Sequence, residues 1–177
     1  MDLAVIPECY VDTNLVETLV PPKTRYNHQH GCGTVSKRMR ETFSNSFALG
    51  IIDKDKKEIE YLKEFDELIK VGNLFLHKHK HLHHYIIQIS PDIERFILSN
   101  AQETEVDLSD FGLPTVIDTL KKQSKTVRSK DDDRFKRLFK AIRRNGSKEF
   151  NLLASWIRYL KEENYNADME VLKNMVS

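Results

Sequence analysis

Cysteine is scarce in this 177-residue sequence: Cys9 and Cys32 are the only two, too few for a disulfide-stapled scaffold and most simply read as free thiols. Internal repeats and low-complexity tracts are also absent from the sequence. No apolar run approaches the roughly 20 residues that span a bilayer, so no membrane association is expected. The opening residues, MDLAVIPECY, show no basic leader, and a cytoplasmic location is the expectation. What is present, 40% hydrophobic and 31% charged residues, is the mix of a globular domain, with length for one core and a helical appendage.

A net charge of +1 conceals an asymmetry. Residues 121–148 hold twelve Lys or Arg against three Asp, which leaves the remainder net negative by eight. A basic segment joined to an acid-rich body suits a polyanion held beside a cation-binding centre. A solvated helix surface gives the same count.

The first half alternates strand and helix signals. Residues 3–6 form a short apolar strand closed by Pro7, followed by a helix with Asp12 as its N-cap and Leu15, Val16, Leu19 and Val20 on one face. Residues 24–28 suit a second strand; Gly31, Cys32 and Gly33 make a turn, and Val35, Met39 and Phe43 recur every four residues as in a helix. Residues 47–52 read as a strand buried on both faces, ending at Asp53. Ile59, Leu62, Phe65, Leu68 and Ile69 suggest another helix, residues 74–79 and 84–89 two more strands, and Ser90-Pro91 the N-cap and first turn of a helix. Beyond residue 100 the pattern is helical. The expected fold is α/β, a mostly parallel sheet flanked by helices over residues 1–100, with a basic helical extension packed on it over 101–177.

In such sheets ligands gather at the C-terminal strand ends. Glu8 and Asp12 follow the first strand, and Asp53 and Asp55 follow the apolar one. Carboxylates converging there repel one another unless a cation lies between them, and Mg²⁺ (or Mn²⁺) suits such hard oxygen ligands. The plainer alternative is a capped strand end beginning a turn.

Glu8-Cys9-Tyr10-Val11-Asp12 resembles the Glu-Gly-x-x-Asp motif of Toprim domains, and Asp53-Lys54-Asp55 resembles their Asp-x-Asp motif, in the same order and at matching strand ends. The likeness is nearest to small Toprim-like modules of bacterial defence nucleases of the overcoming-lysogenization-defect type. There a Gly-rich turn and Lys-bearing helix, here residues 31–37, precede the Asp-x-Asp strand, and an acid such as Glu94 opens a later helix. The resemblance implies a Mg²⁺-dependent nuclease or nuclease-like subunit, in phage defence or a toxin system. It implies that Asp53 and Asp55 bind metal, that Glu8 is a ligand or general acid/base, that Asp12 supports the centre, and that Glu94 is a further ligand. Lys37 is then a candidate phosphate contact, or an ordinary exposed lysine. Cys9 replaces the motif's glycine, which favours the alternative of a non-catalytic module that binds a partner protein, such as an ATPase, or nucleic acid.

Two other features stand out. His77, His79, His81, His83 and His84 are interleaved with lysines in one run, which reads as a solvated edge hairpin rather than a zinc site, since structural zinc draws on separated ligand pairs. His28 and His30 precede Gly31, where one can take part in proton transfer, although an ordinary polar loop histidine is the commoner reading. Arg134, Arg137, Lys140, Arg143 and Arg144 lie beside an apolar helical face, suited to tracking nucleic-acid phosphates.

Overall fold

The structure, a computed structural model, describes residues 1–54 and 59–176. Five strands, β1 (Val5–Pro7), β2 (Ala48–Asp53), β3 (Phe65–Val71), β4 (Leu74–His79) and β5 (His84–Ile89), form one sheet in the order β1-β2-β5-β4-β3. β1, β2 and β5 are parallel neighbours, whereas β4 runs antiparallel to both β5 and β3. Four strands therefore point one way and β4 the other, giving the α/β class with a mixed, mostly parallel sheet.

Side chains alternate across this sheet with the period of two that a pleated strand imposes. Val5, Leu49, Ile51, Tyr85, Ile87 and Ile89 enter the larger core on one face, and Ile6, Ala48, Ile52 and Ile86 enter a smaller one on the other. The larger core is covered by α1 (Tyr10–Leu19), α3 (Ile93–Glu103), α5 (Asp133–Arg144) and α6 (Lys148–Glu163), with α4 (Ile117–Ser124) and α7 (Met169–Asn174) at its margin. On the smaller side, among the described residues, lie α2 (Cys32–Thr42), whose Val35 and Met39 press on Gly50, and a short 3-10 turn bearing Tyr61 and Leu62. A Cβ at Gly50 would meet Met39 Sδ and Val35 Cγ1 at 3.0 Å, so the missing side chain sets how close α2 comes to β2.

The helices after residue 100 share the sheet's core. Trp156, Ile157 and Leu160 of α6 are fully buried within it. The Ser147 hydroxyl caps α6 by accepting from Phe150 N (3.0 Å) and donates to Asn100 Oδ1 of α3 (2.6 Å). Glu149 accepts from Asn73 N (2.6 Å) in the β3–β4 turn and from Asn100 Nδ2 (2.8 Å).

Three expectations change. The helix expected from Ile59 to Ile69 is a short 3-10 turn, Glu60–Glu64, followed by β3. Phe65 and Ile69, four residues apart, suit either period; the tight Gly72-Asn73 turn, with Gly72 at φ +54°, decides for a hairpin by folding β3 back on β4. The first strand begins at Val5, because Asp2–Ala4 form a 3-10 turn. Residues 24–28 are not a strand. The chain there runs extended along the β1 edge through Asn27 N to Val5 O and Gln29 N to Pro7 O (both 3.0 Å), without the reciprocal bonds of a ladder.

Candidate functional site

β1, β2 and β5 end side by side, and acids follow each. Beyond β1, Glu8 donates its amide to Ile51 O (3.0 Å), and its Oε2 accepts from Asp53 N at the end of β2 (2.9 Å). Beyond β5, Asp92 caps α3 by accepting from Arg95 N (2.9 Å), and Glu94 lies in the first turn, buried. Helix α3 thus starts after Asp92, not at the expected Ser90-Pro91. Asp92 also pairs with Arg95 and with Lys121 Nζ (2.8 Å), and Glu94 accepts from the Ser124 hydroxyl.

Helix α1 begins one residue after Cys9, so Asp12 is its third residue rather than its N-cap. The Cys9 side chain accepts from the Asp12 amide and the Asp12 carboxylate accepts from Cys9 N (3.1 Å), a reciprocal capping box. Cys9 has φ −133° and ψ −179°, an extended conformation open to any residue, so the backbone here makes no demand for glycine. Burial and the Asp12 carboxylate push the Cys9 thiol well above its ordinary range, which keeps it protonated and poorly nucleophilic.

Glu8, Asp12, Asp53 and Glu94 are brought together. Burial raises the Asp12 carboxyl above the usual range, with Glu8 and Glu94 adding repulsion. Burial likewise raises Asp53, with Asp12, Glu8 and Glu94 in turn contributing. Among the described residues, four buried side-chain polar atoms lack a hydrogen-bond partner, and three belong to this end of the molecule: Asp12 Oδ1, Asp53 Oδ1 and His28 Nε2. Asp55 lies outside the described residues. No group of three His, Cys, Asp or Glu among the described residues is already spaced to hold an ion.

Rings flank the acids at the start of α1. Tyr10 stacks on His28 with centroids 4.5 Å apart, and His30 stands edge-on to both at 4.8 Å, with its Nε2 3.0 Å from Tyr10 Oη. The Thr13 hydroxyl donates to Cys9 O (2.7 Å), so the 2.8 Å contact with His28 Nδ1 is a bond donated by the imidazole. Burial lowers the proton affinity of His28, and the remaining nitrogen, Nε2, is therefore a bare lone pair.

The other candidates are exposed or engaged with other partners. Lys37 is exposed on α2. Arg134 is engaged with Asp132 (2.7 Å) and Gly112 O (3.0 Å). Arg143 holds the far end of α1 through Leu19 O (3.0 Å) and also bonds Asn151. Arg137, Lys140 and Arg144 are exposed on α5, and Lys140 and Arg144 line a recess of about 370 Å³ at that far end.

The histidine run is not a solvated edge hairpin. β4 lies between β5 and β3, and His77, His79 and His84 are buried. His84 Nε2 donates to Phe43 O (2.9 Å), so its Nδ1 accepts from the Tyr61 hydroxyl (2.6 Å). His79 Nδ1 accepts the amides of His81 and Leu82 (both 3.0 Å) and its Nε2 meets Glu64 (3.1 Å), while His77 Nε2 meets Gln88 Oε1 (2.9 Å). Only the connecting turn, with His81 and His83, is exposed.

The sequence marks residues 121–130 as part of the basic segment 121–148, but assigns no site role to them, to Ser124 or to Tyr10. Their signal was present as five Lys or Arg without an acid across residues 119–130, but which face they occupy depends on contacts distant in sequence. No protein-family model, curated protein or solved structure matches the chain. Among the described residues, no helix is long and apolar enough to cross a membrane.

Proposed function

We propose that the protein is a Toprim-like nuclease or nuclease subunit that hydrolyses nucleic-acid phosphodiesters with Mg²⁺ or Mn²⁺, in a defence or toxin setting. The observation that carries this reading is the pair of buried, unpartnered carboxylate oxygens, Asp12 Oδ1 and Asp53 Oδ1, in a centre where Glu8 and Glu94 oppose their ionisation. Burying acids against one another costs stability in the absence of a cation, and hard oxygen donors suit Mg²⁺, which retains waters of its own. The donor set therefore fits the ion. Asp53, Asp12 and Glu8 would hold it by closing on it, with Asp55 and Glu94 as further ligands.

A bound ion supplies charge neutralisation, polarisation of the phosphate and a water of lowered pKa. The chain's own part is placement and proton handling. The bond from Asp53 N fixes Glu8 at the strand ends, where its carboxylate can take the proton of the attacking water. The water oxygen forms the new P–O bond, an ester P–O bond breaks, and the leaving oxygen takes up a proton. The alternative of a non-catalytic partner-binding module leaned on Cys9; the extended backbone there weakens it.

The test is cleavage of single- and double-stranded DNA and of RNA with Mg²⁺ or Mn²⁺, comparing the wild type with Asp53→Ala and Glu8→Ala. Each variant is expected to lose about a hundredfold or more in rate. No cleavage of any substrate, or equal cleavage by the variants, overturns the nuclease reading and leaves the binding module.

A further inference from the structure

An acidic centre repels the phosphodiester it is meant to receive, so the polyanion has to be held by cations close by. Residues 121–130 lie against the centre at several points. Lys121 pairs with Asp92, Ser124 donates to Glu94, and Asn14 Nδ2 of α1 donates to Ser129 O (2.8 Å). The Ser129 hydroxyl in turn bonds Ser124 O and Thr126 O, and both serines are fully buried. Small buried hydroxyls pin this backbone down and leave Lys122, Lys125 and Arg128 exposed, with Lys130 half-buried.

Lys130 is close enough to His28 for its charge to help lower that imidazole's proton affinity, which places it near the start of α1. Two of the acids that follow are occupied: Asp132 by Arg134 (2.7 Å) and Asp133 by Lys136 (3.8 Å), while Asp131 is exposed. The cations at the C-terminal end of α5 sit differently. Arg143 bonds Leu19 O, at the opposite end of ten-residue α1, about 13.5 Å from Tyr10 at 1.5 Å per residue. The rings at the near end, stacked Tyr10 and His28 with exposed His30 beside them, supply what a charged track lacks, a surface for an unpaired base.

We infer that residues 121–130 together with Tyr10 and His30 form the track for a single strand of nucleic acid, phosphates lying on Lys125, Arg128 and Lys130 and a base against the rings. This names the substrate class of the proposed nuclease centre and rests on that reading, but its test needs no cleavage.

Binding of a fluorescently labelled oligothymidylate of about 20 nucleotides, and of a duplex of equal length, is measured in EDTA across a salt series. Lys125→Gln/Arg128→Gln/Lys130→Gln is expected to bind the single strand about tenfold or more weakly, with the salt slope reduced by about 2. His30→Ala is expected to lose about fivefold with the slope unchanged. Lys140→Gln/Arg144→Gln, on the far end, should stay within about twofold, and the duplex should bind more weakly than the single strand. Asp53→Asn should bind at least as well as wild type, so a failure of the nuclease reading leaves this result standing. Thermal melts establish that each variant is folded. Equal binding of duplex, loss of affinity in the Lys140/Arg144 variant but not the triple variant, or no binding by the wild type at low salt overturns the inference.

Discussion

The two ends of β5 carry buried polar clusters built on opposite terms. At its start, His84 and the neighbouring His79 each have both ring nitrogens engaged, by a tyrosine hydroxyl, a carbonyl, two amides and a glutamate. At its other end the acids raise one another's proton affinity, and among the described residues two of their carboxylate oxygens have no partner. Polar groups whose hydrogen bonds are complete specify a fold; those left incomplete at the cost of stability point to something the fold is kept ready to receive. The chemically more conspicuous histidine run is thus the structural one.

Asp53→Asn tests this difference most sharply. It should lower cleavage by about a hundredfold or more, near 3 kcal/mol of barrier, and in EDTA near neutral pH it should raise the melting temperature because folding no longer forces a proton onto the Asp53 carboxyl. A fall in melting temperature would break the comparison. His84→Ala should do the reverse, costing about 2–3 kcal/mol in denaturant titration by stranding Tyr61 Oη and Phe43 O, with activity per folded molecule retained.

The pH dependence should separate the ends again. Asp12 and Asp53 bind protons more tightly folded than unfolded, so metal-free stability is fullest below the ordinary carboxylate range and declines as pH rises above it. Burial makes His79 and His84 bind protons less tightly folded than unfolded, so stability also falls as pH drops below the ordinary imidazole range. Melts from pH 5 to 9 in EDTA should show opposed slopes. Asp53→Asn should flatten this decline, which otherwise continues through about 7 for Asp12 and about 10 for Asp53, and Mg²⁺ should suppress it; an unchanged decline would count against the raised Asp53 carboxyl.

Much of the fold was legible because local signals agreed. The apolar run before Asp53 matched a strand buried on both faces, and Val35 and Met39 matched a helix with one buried stripe. β3 was not, since its apolar spacing fits two periods and only pairing with β4 chooses between them. Glu8 and Asp53 could be placed at strand ends from sequence, but the approach of Glu94 depends on β5 lying beside β2, and that of Ser124 on a helix thirty residues further on. The histidines misled because alternation with lysine imitates a wet strand, whereas Lys78 turns its ammonium onto the carbonyls of His79 and Leu82 and over the Tyr85 ring.

Strand β1 is only three residues long, and where its ladder with β2 runs out, the Glu8 carboxylate takes over by receiving the Asp53 amide. One side chain therefore closes the sheet and belongs to the candidate centre. A cation drawn to the Glu8 carboxylate competes with that amide for its electrons, so the Asp53 N–H is a built-in sensor of occupancy. Its hydrogen-exchange rate and its nitrogen chemical shift can register what arrives at the strand ends before any bond is cut.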